Sequence, residues 1–116
     1  MARVSARLGQ YRVSAQKARL VADQIRGRQV EDALGILAVS AKRFARPLAK
    51  LVRSALANAE EKNAREKAGI DVDNLYVAKI LVDEGPSQWR IRPRAQGRAN
   101  WIQRRTSHVM IELEER

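Results

Sequence analysis

GPSQWRIRPRAQGRANWIQRRTSH, residues 85–108, decides how the rest of the chain is read. It carries Arg90, Arg92, Arg94, Arg98, Arg104 and Arg105 and no Asp or Glu. Apolar, alternating runs flank it, Leu75 to Val82 before and Val109 to Leu113 after, which is the pattern of two antiparallel strands. The segment between them is far too long for a turn. If both strands continue outward, legs of about ten residues rising about 3.3 Å each make a hairpin roughly 30 Å long, occupying residues 84–106. A compact domain of this size has a radius of gyration of about 13 Å, so the arm reaches past its own core.

A lone two-stranded ribbon is marginally stable in water, and arginines without acidic partners repel one another. Such an arm needs a polyanion. Guanidinium groups bond phosphate oxygens in parallel pairs and stack on base planes, which suits nucleic acid better than an acidic protein. Trp89 and Trp101, on opposite legs, offer stacking surfaces for unpaired bases. Pro93 removes a backbone donor and Gly97 permits positive φ, so the ladder breaks there. The expected tip is Arg92, Pro93, Arg94, Gln96 and Gly97. A basic run is more commonly a solvated loop, but the arginine density, the two Trp and the flanking strands argue for binding.

The 116 residues make one domain with a modest core. Only 4% are aromatic while 45% are hydrophobic, so Ala, Val, Leu and Ile must build that core. A net charge of +10 calls for an anionic partner. Nucleic acid is favoured over membrane, since no stretch approaches transmembrane length and no basic amphipathic helix has bulky anchors. Without cysteine there is neither a disulfide framework nor a thiolate zinc site. The amino terminus lacks the apolar run of a secretory signal and is short for a transit peptide, so a cytoplasmic location is expected.

Taken in order, Val4, Ala6 and Leu8 alternate with Arg3, Ser5 and Arg7 as a half-buried strand closed by Gly9. Ser14 is placed as the N-cap of a helix with Ala18, Val21, Ala22 and Ile25 on its apolar stripe and Gly27 as its stop. Arg12 precedes that helix, and Lys17, Arg19 and Arg26 lie off the stripe, facing a ligand or water. A second helix runs from about Val30 to Ala38, with Val30, Ala33, Leu34, Leu37 and Ala38 on one face. Ser40 reads as the cap of a third, whose stripe is Phe44, Leu48, Leu51, Val52, Ala55, Leu56 and Ala59. Arg43, Arg46, Lys50 and Arg53 repeat along another face, as a phosphate-contacting edge or a solvated one. Pro47 kinks this helix if it starts at Ala41, or takes the favoured first position if it starts near Arg46. Asp71 and Asp73 have the spacing of turn residues rather than metal ligands. The strand Leu75–Val82 is apolar on both faces, as a covered or central strand would be, and the acidic terminal EER stays clear of a polyanion.

An enzyme is not expected. Ser107 and His108, adjacent on a strand, point to opposite faces and cannot act as nucleophile and base; His108 is a packing residue or a phosphate donor. Asp83 and Glu84 have no third group or pocket, and no GxxxxGK[ST] loop occurs. Neither cofactor nor metal is called for.

Val82–Pro86 (VDEGP), Arg92–Ala95 (RPRA), Gly97–Ala99 (GRA) and Arg105–His108 (RTSH), with Ser14–Gly27 (SAQKARLVADQIRG) and Ser54–Glu60 (SALANAE), resemble the bacterial large-subunit ribosomal protein L-twenty-two family. The resemblance covers nearly the whole chain. It implies an α+β fold of three helices packed on a small antiparallel sheet with a long projecting β-hairpin arm threading into large-subunit rRNA. It also implies a structural role in subunit assembly, neighbouring ribosomal proteins as partners, and an arm tip on the wall of the exit tunnel beside the nascent peptide. Carried over by position, RNA contacts come from Gln16, Lys17 and Arg19 and from Trp89, Arg90, Arg92, Arg94, Arg98, Arg104 and Arg105, to which Arg12, Arg43, Arg46, Lys50, Trp101 and His108 are added. Gln96 and Trp89 replace commonly basic residues, Trp101 is bulky for its leg, and Pro47 replaces an ordinary helix former. An architectural DNA-binding protein with a wedging Pro93 is the alternative. Such proteins are usually dimers with paired arms, whereas no strong exposed apolar dimer surface is evident here, so no obligate homo-oligomer is expected.

Overall fold

A computed structural model describes residues 3–67, 69–93 and 95–115. Its elements are β1 (Arg3–Tyr11), α1 (Ala15–Ile25), α2 (Val30–Val39), α3 (Ala45–Glu66), β2 (Leu75–Glu84), β3 (Gln88–Pro93), β4 (Ala99–Arg104) and β5 (Ser107–Glu115). The fold is α+β, as expected. Three helices pack against an antiparallel sheet of order β1-β5-β2, while β3 and β4 form a separate two-stranded ribbon. The ribbon gives the molecule a longest dimension of 64 Å and a radius of gyration of 17.4 Å, well above the about 13 Å of a compact chain this long.

The central strand is β5, not β2. Val109, Ile111 and Leu113 of β5 are fully buried between α3 and the two neighbouring strands. The doubly apolar pattern of β2 has another cause: its pairing with β5 shifts between Val77 and Lys79. One extra residue in a strand inverts which side chains face the core. Leu75 and Val77 therefore point inward before the bulge, and Ile80 and Val82 after it.

As an edge strand, β2 would offer open backbone groups to another chain. Val77 instead exchanges bonds with the loop after α1, donating to the Arg28 carbonyl at 2.8 Å and accepting from the Gly27 amide at 2.9 Å. The Arg26 guanidinium donates to the Ile80 carbonyl at 3.1 Å, and that of Arg19 to the Val82 carbonyl at 2.9 Å. On the opposite edge, the Asn58 side chain of α3 donates to the Ser5 carbonyl of β1 at 2.9 Å. β1 is not closed by Gly9. It continues to Tyr11 across an irregularity where Gln10 takes a φ of 48°.

Ser14 caps α1, accepting from the Lys17 amide at 3.3 Å, and Gly27 follows its end with a φ of +80°. In α2, Val30, Ala33 and Leu37 are buried and Leu34 half-buried, but Ala38 is exposed. Ser40 is not the cap of the third helix. It ends α2, and its hydroxyl accepts from the Lys42 amide at 3.3 Å in the connecting turn. α3 starts at Ala45, so the later of the two expected starts holds, with Pro47 as its third residue rather than its first. The first four amides of a helix have no intrahelical acceptor, so Pro47 sacrifices no bond. The i to i−4 ladder opens with the next residue, Leu48 donating to the Phe44 carbonyl at 3.1 Å. Arg43 precedes the helix, which leaves Arg46, Lys50 and Arg53 as its exposed basic column. At its other end Asn63 accepts from the Ile70 amide at 2.8 Å and donates to the Ile70 carbonyl at 2.7 Å, clamping the exit loop.

Asp71 is a turn residue, accepting from the Asp73 amide at 3.2 Å. The acidic tail is not free: antiparallel pairing sets Glu114 between Arg3, at 2.5 Å, and the Tyr76 hydroxyl, at 3.1 Å. Of the described residues, Phe44 is the one aromatic in the buried core, with the Tyr11 ring centred 5.7 Å away.

Ile111→Ala is expected to cost about 2–5 kcal/mol, the range for emptying a packed core site, while Pro47→Ala stays within about 1 kcal/mol because it neither adds nor removes an intrahelical bond. Urea unfolding of both variants measures this; a large loss from Pro47→Ala contradicts the assigned helix start.

Candidate nucleic-acid interface

The arm's two strands pair in register from Gln88 opposite Arg104 to Pro93 opposite Ala99. Six pairs make about 20 Å of ribbon at about 3.4 Å per residue, shorter than uninterrupted legs. The interruption lies at the root, where three residues, Gly85, Pro86 and Ser87, oppose two, Arg105 and Thr106. The tip is a short 3₁₀ turn, Ala95–Gly97, in which Gln96 and Gly97 take φ values of 63° and 71°. Pro93 and Gly97 thus bound the break in the ladder as expected; Arg94 lies outside the described residues.

Register and alternation sort the arm into two faces. Trp89, Ile91 and Pro93 share one with Gln103, Trp101 and Ala99; Gln88, Arg90 and Arg92 share the other with Arg104, Ile102 and Asn100. The first is an apolar face in water: Trp89 is 62% exposed, Ile91 58% and Trp101 66%. The second is cationic. Arg90 and Arg92 are exposed, as is Arg98 beyond the paired strands, whereas Ile102 and Arg104 are half-buried, so the root end of the cationic face lies against the globular part.

There it closes a cleft of about 740 Å³ between the arm's root, the Tyr11–Ser14 segment, α1 and the loop before α3. Arg12, Lys17, Lys42, Arg43, Arg92, Arg104 and Arg105 line it with Tyr11, Val13, Leu20 and Ile102 among others, and among the described residues no acidic side chain does. The cleft therefore unites four expected contacts from the arm's root and the start of α1, Arg12, Lys17, Arg104 and Arg105, with Arg43 and Arg92. The remaining expected residues among those described do not line it. Gln16 is exposed on α1, and Arg46 and Lys50 are exposed on α3, outside the cleft lining. Arg19 holds the β2 edge through the Val82 carbonyl.

The arm's root is held by three consecutive side chains. Thr106 donates to the Pro86 carbonyl at 2.6 Å, buried Ser107 donates to the Val13 carbonyl at 2.7 Å, and His108 Nδ1 accepts from the Gln10 amide at 3.1 Å. His108 is thus committed on one nitrogen to β1, and Ser107 points into the core on the opposite face. Gly85 is required by close approach: a Cβ there would stand 2.6 Å from the Thr106 hydroxyl and 3.2 Å from His108 Nε2.

Lys42, Tyr11, Leu20 and Ile102 were not singled out in the sequence. Leu20 alone carried a signal, being apolar yet off the stripe of α1. The others come together only in the tertiary structure, where the arm, the Tyr11–Ser14 segment, α1 and the loop before α3 border one cleft. Residues 6–114 match the family model described as Ribosomal protein L22p/L17e.

Gly85→Ala is expected to displace Thr106 from Pro86 and to cost about 1–3 kcal/mol, as overpacking does. A urea midpoint unchanged from the parent protein would mean that Thr106 yields freely and that the root is not locked.

Proposed function

The chain belongs to the ribosomal protein L22p/L17e family, and from that membership we propose that its arm and the adjoining basic surface bind large-subunit rRNA and support assembly of the subunit. Membership itself makes it a cytoplasmic protein of the large ribosomal subunit, a constituent of a ribonucleoprotein that works in translation, and not an enzyme. In this reading all 116 residues act as one domain whose arm, residues 84–106, threads between RNA elements and brings its tip to the wall of the exit tunnel, beside the nascent peptide. Neighbouring large-subunit ribosomal proteins are its protein partners, and it forms no obligate homo-oligomer. The VDEGP and RPRA motifs favour the bacterial branch of the family.

The observation that carries the reading is the two-faced arm. Its cationic face, Arg90, Arg92 and Arg104, neutralises phosphates, and its apolar face, Trp89, Ile91 and Trp101, stacks on unpaired bases or packs in crevices between RNA helices. Neither face has a protein core to bury it, and β3 is exposed along its whole length. Binding RNA satisfies both faces at once. Arg98 follows the tip, and Arg46 and Lys50 extend the positive surface along α3.

Sedimentation of a cell lysate on a sucrose gradient, with this protein followed by mass spectrometry, tests the assignment. Comigration with large subunits through a moderate salt wash is expected; release from ribosomal fractions and cosedimentation with DNA would instead favour an architectural DNA-binding protein. With purified protein, replacing Arg90, Arg92 and Arg98 together by Ala is expected to leave the unfolding midpoint unchanged while RNA affinity falls. The log–log salt dependence should flatten by about 0.7–0.9 per lost phosphate contact. Unfolding of the triple variant without RNA would refute a free-standing arm.

A further inference from the structure

The cleft between the arm and α1 differs from the open faces of the arm in having a defined volume and an apolar floor. We propose that it is a pocket for one unstacked nucleotide of a single-stranded or bulged RNA, with the base against Leu20, Ile102 and Tyr11 and the flanking phosphates on the surrounding cations. The inference rests on the RNA-binding reading and gives it a specific ligand element.

Size selects the ligand class. A volume of about 740 Å³ falls within the roughly 300–1,000 Å³ of sites that enclose small molecules. It admits a nucleotide and its neighbours' phosphates but not a double helix. Charge selects an anion, since seven Arg and Lys side chains line the cleft and, among the described residues, no carboxylate does. A neutral or cationic peptide has no reason to enter.

Two further features demand an occupant. The Arg104 Nε is buried without a hydrogen-bond partner among the described residues, and a buried guanidinium donor left unmatched is costly. The Arg104 side chain lines the cleft, and a phosphate or a base oxygen there supplies the acceptor once the guanidinium is re-aimed toward it. Leu20, meanwhile, is 55% exposed on a helix whose other large aliphatic residues, Val21 and Ile25, are buried. Against the half-buried Ile102 of the arm it forms an apolar gap flanked by positive charge, which matches a flat base carrying phosphates on either side. Unstacked bases in loops and bulges are the parts of RNA that proteins can enclose in this way.

The test measures binding of the full chain to two RNAs by fluorescence anisotropy: a short duplex with one bulged nucleotide, and the same duplex without it. The parent protein is expected to prefer the bulged RNA by about tenfold, the scale of one base contact. Leu20→Ala, which changes an exposed side chain, should bring that preference close to parity while binding to the uninterrupted duplex stays within about twofold. Arg53→Ala, on the exposed column of α3 outside the cleft, should lower both affinities equally and keep the preference. Equal binding of both RNAs by the parent protein, or a preference untouched by Leu20→Ala, overturns the pocket and leaves RNA binding by the arm standing. Failure to bind either RNA removes the RNA-binding reading and the pocket together.

Discussion

The arm has almost no core of its own, so its direction depends on what holds its root. Thr106, Ser107 and His108 hold it, each bonding a different element: the Pro86 carbonyl on the outgoing leg, the Val13 carbonyl before α1, and the Gln10 amide at the irregularity of β1. Alternation along a strand sends Ser107 inward and its neighbours outward. Three adjacent residues therefore tie the arm to three separate places. Gly85 completes the joint by leaving room where any side chain would collide with Thr106.

That joint rests on the most buried strand of the protein. β5 lies in the middle of the sheet, with Val109, Ile111 and Leu113 packed beneath α3, and it runs through Arg105 and Thr106 directly into β4 of the arm. The return leg is thus continuous with the rigid centre of the fold. The outgoing leg leaves from an edge strand, β2, whose open backbone groups are met by the loop after α1 and by Arg26 and Arg19. The cations of α1 serve two ends: Arg19 seals a sheet edge, while Lys17, two residues earlier and so on the other side of the helix, lines the cleft.

The unequal root, three residues against two, adds twist at the point where the ribbon leaves the sheet, as bulges do. Arg92, Ile102 and Arg104 of the cationic face line the cleft with α1 and the loop before α3, while Trp89, Ile91 and Trp101 stay exposed to water. Both faces are available to RNA, but in different ways. The Trp face offers open stacking surface, whereas the cationic face and the globular part together border a half-open cleft.

The arm was legible in the sequence because its signals are local: arginines without carboxylates, flanking apolar alternation, and a proline and a glycine at the break. The caps at Ser14 and Gly27, the aliphatic core and the turn at Asp71 were legible for the same reason, since each depends on residues a few positions apart. Strand order was not. β2 looked central because its bulge moves odd- and even-numbered apolar residues to one face, and a bulge exists only in relation to the partner strand. Ser40 looked like a cap because capping residues are defined by type, while the start of α3 was set by where Phe44 could pack on Tyr11 and by the freedom of Pro47 in a first turn. Composition and local pattern by themselves determined that this is a basic α+β protein with an arginine arm built for a polyanion. Only the tertiary structure decided which side of the arm faces the domain and that Tyr11, Leu20, Lys42 and Ile102 meet there, because that geometry arises from hydrogen bonds and bulges between residues up to 98 positions apart.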